Sequence, residues 1–217
     1  MHIDHVLLEK CRRFGTGTWS DAMDEFGIDG VISGLSQRSG SGAFAGFALT
    51  VQTRTGPLGS IPLEEFALSR MTGIVDSGQV LVIEMDGADI STMGGIGAKA
   101  AALRGAEAVI IDGACRDIQD IRTLGLWVAS RSVTPRTGKR RAALVSIGES
   151  ATVGGISVRA GDLVVGDETG IVVVPQSDIF RVLEVAERIQ SNDDRIEHNV
   201  ASGASLEQAS AAVKNPS

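Results

Sequence analysis

The hydrophobic positions along the chain alternate between short continuous runs and helical spacing, a pattern typical of α/β proteins. The clearest run, 79–84, predicts a buried strand. Further strands are predicted at 44–52, 108–112, 143–147, 163–165 and 171–174, with a hairpin-like turn at 166–170 between the last two. Helices are predicted at 4–14, at 18–26 after a capping box that begins at Thr18, at 62–71 after Pro62, and from the end of a glycine turn at 94–97 to Leu103.

The last forty residues have helical spacing throughout. A long helix is predicted to begin at a Ser177 cap and to run towards His198, a short one is predicted to begin at Ser205, and 214–217 are expected to fray. The second half of the chain is rich in predicted strands, whereas the centre alternates strands and helices. The pattern therefore predicts a single mixed α/β domain over 1–217, a sheet flanked by helices, with 177–213 as a C-terminal helical extension.

The stretch 93–135 combines this alternation with loops that are rich in glycine and charge. Its glycine turn, Gly94-Gly95-Ile96-Gly97, leads directly into an alanine-rich helix. A glycine loop at a helix N-terminus presents free backbone N–H groups, which bind carboxylates or phosphates. The same glycines also allow close packing of a helix on a sheet, and the residues alone leave both interpretations open.

The adjacent pair Arg116-Asp117 follows the strand 108–112 and precedes another helical pattern. An aspartate at such a junction can hold a hard divalent cation, and an arginine can form a bidentate contact with a carboxylate. The simpler alternative makes Asp117 a helix N-cap and Arg116 a surface charge. A dinucleotide site is a weaker third hypothesis, since 95–100 fit G-x-G-x-x-A and Asp112 could bind a ribose. Against it, the polar stretch 86–92 separates the glycine turn from the preceding predicted strand.

Composition narrows the classes of function. The 217 residues carry a formal net charge of −7, which argues against nucleic-acid and membrane-surface partners. The two cysteines, Cys11 and Cys115, form no metal or disulfide pattern. The N-terminus lacks the apolar core of a signal peptide, so a cytoplasmic location is expected. One basic cluster comprises Arg131, Arg136, Lys139, Arg140 and Arg141. We favour its interpretation as a solvated loop or a subunit contact over its interpretation as a phosphate site.

The segment from Arg104 to Pro135 resembles the signature of the RraA-like family; it reads RGAEAVIIDGACRDIQDIRTLGLWVASRSVTP. The resemblance extends to 20–24 (SDAMD) and 161–167 (GDLVVGD), so it covers nearly the whole chain. The family includes 4-hydroxy-4-methyl-2-oxoglutarate aldolases that also decarboxylate oxaloacetate. It implies a swivelling β/β/α sandwich, a homotrimer or hexamer, and an active site between subunits.

The resemblance also implies roles for particular residues. Asp117 would hold a divalent metal such as Mg²⁺ or Mn²⁺, and Arg116 would bind the pyruvoyl part of a 2-oxo acid substrate. The backbone amides of the glycine loop, from Gly94 through Gly95 and Ile96 to Gly97, would assist Arg116. Glu197 is the best match for a glutamate that the neighbouring subunit's C-terminal helix contributes. The expected function is therefore a metal-dependent lyase that acts through a pyruvate enolate.

One departure from the family pattern bears on that expectation. The aldolases carry an acidic residue in a D-x20-R-D spacing, and this spacing falls on Gly95. Without that carboxylate, metal binding is expected to weaken unless Asp86 or Asp89 reaches the site. Family members that regulate an RNA-degrading nuclease instead of catalysing the aldolase reaction provide the alternative, a non-catalytic binding or regulatory oligomer.

Overall fold

A computed structural model describes residues 3–214. Within that range the α-helices are α1 (His5–Cys11), α2 (Thr16–Asp24), α3 (Leu68–Gly73), α4 (Gly95–Leu103), α5 (Ile118–Thr123), α6 (Ile179–Ala201) and α7 (Leu206–Lys214). The strands are β1 (Val31–Ile32), β2 (Ser36–Ser39), β3 (Phe44–Thr55), β4 (Gln79–Glu84), β5 (Ser91–Met93), β6 (Ala108–Cys115), β7 (Trp127–Val133), β8 (Ala142–Ile147), β9 (Ala151–Val153), β10 (Ile156–Val158), β11 (Leu163–Gly166) and β12 (Ile171–Val174). Of the predicted frayed tail 214–217, Lys214 is the last residue of α7, and 215–217 lie outside the described residues.

Most of the strands join one mixed sheet in the order β1-β12-β11-β3-β4-β6-β7-β2, with β5 added beside β6 and β8 beside β3. Strands β3, β4, β6 and β7 run parallel to one another, and β5 is parallel to β6. The remaining pairs of this sheet are antiparallel. The predicted mixed α/β fold with a C-terminal helix is confirmed.

Three buried clusters show how the layers are arranged. Helices α1, α2 and α6 pack on the β3, β11 and β12 side, and α3, α4 and α5 cover the β4, β6 and β7 side. The third cluster joins Ile171 near one edge of the sheet to Trp127 near the other, together with side chains of β9 and β10. The sheet is therefore curled around its own apolar face, with helices on the outside.

Strand β6 lies in the middle of the parallel part, and all eight of its residues are buried. Strands buried on both faces form near-continuous apolar runs, which is why β4 and the start of β6 are evident from the sequence. The predicted end at Asp112 is wrong, because the strand continues to Cys115. Asp112 remains inside the protein because its Oδ1 accepts hydrogen bonds from Arg131 Nε at 2.6 Å and from Gly154 N at 3.1 Å.

Several helix ends also differ from the prediction. The predicted helix over 62–71 is a 3-10 turn at Leu63–Glu65 followed by α3. Ser177 lies in the 3-10 turn before α6 and donates to Asp178 instead of capping the helix. Ser205 does cap α7, since its Oγ accepts from Gln208 N while Gln208 Oε1 accepts from Ser205 N. This reciprocal pair is a capping box.

Helix α2 begins at Thr16, two residues before the predicted capping box. The cap comes from a distant part of the chain, because the carboxylate of Asp167 accepts from Thr16 N and Thr16 Oγ1, both at 2.8 Å. Asp167 also accepts from the backbone N–H groups of Thr169 and Gly170 in its own turn. Partial burial opposes the charge, but these hydrogen bonds outweigh it and hold the pKa of Asp167 below its ordinary value.

The variant Asp167→Asn is expected to lower the free energy of unfolding by about 1–2 kcal/mol at neutral pH, because the amide loses the charge and one of the two acceptor oxygens that take these hydrogen bonds. Because the folded-state pKa is depressed, the carboxylate's contribution is complete above its unfolded pKa of about 3.9 and disappears as pH falls through the folded pKa. Urea unfolding at several pH values would measure this difference. The exposed neighbour Glu168→Gln is the control, and equal stability of Asp167→Asn and wild type at neutral pH would contradict the prediction.

Among residues 3–214, the helices lack the combination of length and apolar character that crossing a bilayer requires. The cysteines Cys11 and Cys115 are buried and unpaired. Burial raises the pKa of the Cys11 thiol to about 12 and also raises that of Cys115. Neither thiol is therefore a ready nucleophile, although Cys115 precedes Arg116.

Candidate functional site

The candidate site lies where three parallel strands end side by side. Strand β6 ends at Cys115 next to Met93 of β5 and Val133 of β7. The backbone continues the pairing for one residue, as Arg116 N donates to Met93 O at 3.0 Å. The glycine turn, which follows β5, therefore meets the Arg116-Asp117 pair, which follows β6. The carboxyl ends of parallel strands are where α/β proteins place ligand sites.

Asp117 occupies the N-cap position of α5 but does not cap it. Its side chain forms no hydrogen bond to the helix, and its Oδ2 instead accepts from Gly95 N at 3.2 Å. Its backbone is left-handed, with φ 55° and ψ 43°. A non-glycine residue in this region is strained, and such strain concentrates at functional sites. The simple capping interpretation of Asp117 is therefore wrong.

The absence of a side chain at Gly94 is what lets the two loops approach each other. A Cβ built on Gly94 would lie 2.4 Å from Asp117 Oδ2 and 3.0 Å from Arg116 Nε. The backbone at Gly94 is extended, with φ −131° and ψ −171°, so any residue could adopt it. The requirement for glycine is therefore one of space, and the space is taken by the side chains of Arg116 and Asp117.

The other two loop glycines have different roles. A Cβ on Gly97 would lie 2.7 Å from Met93 Sδ and 3.2 Å from the Leu68 side chain, so this glycine permits close packing. A Cβ on Gly95 would lie 2.9 Å from the Cβ of Asp120 and 3.0 Å from its Oδ2. The packing interpretation of the glycine turn therefore applies to Gly97, and its role in binding an anion stays a prediction.

Arg116 lies beside Asp117 at the surface of the site. Its Nε is 3.5 Å from Asp117 Oδ2, and 37% of its side chain is exposed. Within residues 3–214 its terminal amino groups have no hydrogen-bond or ion-pair partner. The guanidinium therefore has two donors in fork geometry that remain free for a carboxylate.

Two cavities meet at Arg116 and Asp117, and both contain residues that the sequence did not single out. The larger cavity, of about 460 Å³, is lined by residues 116–120, around the N-terminus of α5, and by residues 133–135, at the end of β7 and just after it. The smaller, of about 250 Å³, is lined by the glycine turn and by Phe66, Thr137 and Lys139. Asp120, Phe66 and Thr137 have no sequence motif that would have identified them.

The basic cluster does not form one patch. Arg131 pairs with Asp112, and Arg136 Nη1 donates to Asp89 Oδ2 at 3.1 Å. Arg141 donates to the Thr137 carbonyl, whereas Lys139 lines the smaller cavity. Most of the cluster is thus engaged in intrachain contacts, which favours the solvated-loop interpretation over a phosphate site.

Other carboxylates that could have reached the site do not do so. Asp89 is engaged with Arg136 and accepts from Ser132 Oγ at 3.0 Å. Asp86 is exposed in its turn and lines neither cavity. In the described part of the chain, Glu197 lies exposed on α6, which packs on α2 and α7, and does not contact Arg116 or Asp117.

The dinucleotide hypothesis loses its ribose-binding acid. The objection that a polar stretch precedes the glycine turn is partly wrong, since β5 ends directly before Gly94. However, Asp112 is only 5% exposed, and its carboxylate is engaged by Arg131 and the Gly154 backbone. A buried Asp112 that is engaged in this way is not available to a ribose.

Comparison with known proteins identifies the family. A family model described as RraA-like, Aldolase/RraA, matches residues 16–173. The chain belongs to the RraA-like family. The match includes the glycine turn, Arg116 and Asp117, whereas Glu197 lies beyond it.

Individual relatives of the RraA-like chain are distant but cover it well. A protein of Halalkalibacterium halodurans named "Putative 4-hydroxy-4-methyl-2-oxoglutarate aldolase" is 27% identical over 199 residues, 90% of this chain and 89% of that protein. A solved structure of an uncharacterized protein from Pseudomonas syringae pv. tomato has 31% identity and a TM-score of 0.83, covering 96% of this chain and 98% of the other.

Other matches are more limited in what they show. Streptomyces coelicolor RraAS2, described as an unusual member of the RNase ES inhibitor RraA protein family, has 24% identity and a TM-score of 0.80, covering 89% of this chain and 97% of its own. At that identity it shows the fold alone. The chain spans only 33% and 56% of the length of two other curated relatives, which it matches at 25% and 30% identity.

Proposed function

We propose that the chain is a divalent-metal-dependent lyase that cleaves or decarboxylates a 2-oxo acid through a pyruvate enolate. The observation that carries this proposal is the meeting of Arg116, Asp117 and the α4 N-terminus at adjoining cavities. A free guanidinium, a carboxylate and helix-terminal amides together suit an anionic substrate bound beside a cation. The name of the Halalkalibacterium relative supports the same class of reaction.

The residues present fit a hard cation such as Mg²⁺ or Mn²⁺. Asp117 offers carboxylate oxygens at an exposed position, and Asp120 lines the same cavity. Across the described residues, no three His, Cys, Asp or Glu side chains form a ready-made cage for a metal. Mg²⁺ commonly binds through one or two carboxylates, with water and substrate oxygens completing its shell. When bound, such a cation acts as a Lewis acid that stabilises negative charge on the substrate oxygen.

The chain's own groups would orient the substrate. Arg116 would form a bidentate contact with the 1-carboxylate of the 2-oxo acid, using the two terminal amino groups that have no partner in the described chain. The N–H groups of Ile96 and Gly97 lie in the first turn of α4, where helical geometry offers no acceptor within the helix. Both residues line the smaller cavity, where their N–H groups can bind substrate oxygens.

These positive groups would lower the barrier where negative charge develops. Both reactions leave an electron pair on the pyruvoyl unit, and preorganised donors stabilise such charge more than water does. Aldol cleavage also requires a base to take the proton of the C4 hydroxyl, whereas decarboxylation releases carbon dioxide without a base. Decarboxylation is therefore the less demanding reaction, and the better first assay for a site whose residue 95 is glycine.

The assembly proposed with this function is a homotrimer or hexamer with the site at a subunit interface. Its support is apolar exposure beside the site, since Ile96 and Leu103 of α4 are 88% and 79% exposed and Val133 is 49% exposed. A neighbouring copy that covers this surface could also bring its Glu197 to the cavity. Light scattering that gives a monomer at micromolar concentration would remove the shared site.

The direct test of the proposed reaction is the release of pyruvate from oxaloacetate, which is measured in an assay coupled to lactate dehydrogenase. With Mg²⁺ or Mn²⁺ we expect the purified chain to release pyruvate well above the background that the free metal produces. EDTA is expected to abolish that excess, because Asp117 and Arg116 alone lack the Lewis acid. Release equal to the metal background, with folded protein, would reject the lyase proposal.

One observation favours a second function, a non-catalytic binding or regulatory oligomer. Gly95 stands where the resemblance expects an acidic residue, so the site has one carboxylate fewer at that position. A folded oligomer that neither binds Mn²⁺ nor releases pyruvate would support this second function.

A further inference from the structure

Asp120 is the residue whose side chain occupies the space that Gly95 leaves empty. We propose that Asp120 supplies the second carboxylate of the cation site. The inference rests on the proposed lyase function, and it names a residue that neither the sequence motif nor the family resemblance singles out.

The two aspartates flank the same glycine. Asp117 Oδ2 accepts from the Gly95 N–H at 3.2 Å, and Asp120 Oδ2 lies 3.0 Å from the point where a Cβ of Gly95 would stand. Both side chains line the cavity of about 460 Å³ that also contains Arg116. Gly95 therefore serves as the common contact that brings the carboxylates to one side of the cavity.

The carboxylate of Asp120 is not committed to another contact. In the described chain it forms no ion pair and no hydrogen bond, whereas Asp112, Asp89 and Asp167 are each engaged. Only its main-chain carbonyl is engaged, accepting from Thr123 Oγ1 at 2.7 Å. An exposed and unengaged carboxylate keeps its oxygens available to a cation or to the waters that a cation holds.

The position of Asp120 on α5 has a purely structural alternative. Asp117 is the N-cap and Asp120 lies three residues later, the spacing at which an N3 side chain reaches back to the N-cap N–H. Asp120 does not make that bond, so the capping role is not realised. A carboxylate in the first turn also interacts favourably with the helix dipole, which would stabilise α5 without any cation.

Metal binding separates the two roles. Mn²⁺ binding to the full chain is measured by the loss of the free Mn²⁺ electron paramagnetic resonance signal, with and without oxalate as a 2-oxo acid analogue. The isosteric variant Asp120→Asn is expected to weaken Mn²⁺ binding by about tenfold or more. A role confined to the helix dipole would change the melting temperature and leave Mn²⁺ binding as in wild type.

Relocating the carboxylate provides the sharper experiment. In the double variant Gly95→Asp with Asp120→Gly, the carboxylate moves to the other side of the same contact, and removal of the whole side chain, Cβ included, makes room for the new one. We expect this double variant to recover most of the Mn²⁺ affinity that Asp120→Asn loses. Gly95→Asp alone is unsuitable, because its Cβ would lie 2.9 Å from that of Asp120.

Two controls match these variants. Glu168→Gln removes a carboxylate from an exposed turn away from the cavity, and Asp193→Asn makes the same change of charge on the exposed part of α6. Both are expected to bind Mn²⁺ as wild type does, and circular dichroism would verify that every variant is folded.

The outcomes distinguish this inference from the proposed function. If Asp120→Asn binds Mn²⁺ like wild type while Asp117→Asn does not, the role of Asp120 is wrong and the lyase proposal stands. If wild type binds no Mn²⁺ with or without oxalate, the lyase proposal itself fails. A folded double variant no better than Asp120→Asn would show that a carboxylate on residue 95 cannot replace Asp120.

Discussion

Asp117→Asn is expected to weaken Mn²⁺ binding by more than about a hundredfold, beyond the losses typical of residues that only support a ligand. Pyruvate release from oxaloacetate should fall to the level produced by the free metal. The reason is that asparagine keeps the shape and loses the charge that a hard cation requires. Titration of Mn²⁺ and the coupled pyruvate assay measure the two effects independently.

The choice of asparagine follows from the backbone of Asp117. Its left-handed conformation is tolerated by asparagine, whereas alanine would add a steric cost of roughly 1 kcal/mol or more and mix instability with loss of charge. Asp86→Asn is the matched control, since Asp86 also has a positive φ of 52° but lines neither cavity. Equal Mn²⁺ binding by Asp117→Asn and Asp86→Asn would place the cation elsewhere.

Arg116→Lys is expected to have the second large effect, although this substitution keeps the positive charge. Lysine cannot make the planar bidentate contact, and a lost hydrogen bond to a charged group amounts to about 1.5–3 kcal/mol. We therefore expect kcat/KM for oxaloacetate to fall by roughly tenfold to a hundredfold. Mn²⁺ binding in the absence of substrate should remain close to that of wild type.

The comparison variant for Arg116 is Arg70→Lys, which makes the same replacement at an exposed position of α3 away from both cavities. Its kcat/KM should equal that of wild type. If Arg116→Lys also keeps a wild-type kcat/KM, then the guanidinium fork is not used and Arg116 is a surface charge.

The buried centre of the fold was predictable because its strands are apolar on both faces. The prediction for β4 matches the structure residue for residue. The end of β6 was not predictable, because Asp112 and Gly113 have the character of turn residues. Partners nineteen and 42 positions away, Arg131 and Gly154, make a buried Asp112 acceptable, and local patterns carry no information about such partners.

The prediction of where α2 starts failed for the same reason. The sequence offers Thr18 and Asp21 as a local capping box, but the structure caps the helix with Asp167, which is 151 residues away from Thr16. Sequence patterns predict helix ends well when the cap is local, as at Ser205. They fail when the cap is tertiary.

For the candidate site, the sequence predicted which loops form it but only some of the residues that line it. Arg116, Asp117 and the glycine turn meet because β5 and β6 are parallel neighbours, and parallel strands bring their carboxyl ends to one edge. The approach of Asp120 depends on the missing side chain at Gly95, a relation visible only in three dimensions. The role of Glu197 stays a prediction about a neighbouring subunit.

The C-terminal helices should open locally more readily than the buried strands of the native state. The buried residues of α6 lie between Ile179 and Ala186, so the rest of this helix contributes no fully buried side chain. Helix α6 also packs against α7, which buries Ala209. Backbone amides of 187–214 should therefore exchange with deuterium earlier than those of β4 and β6, and oligomer formation that covers these helices would slow that exchange.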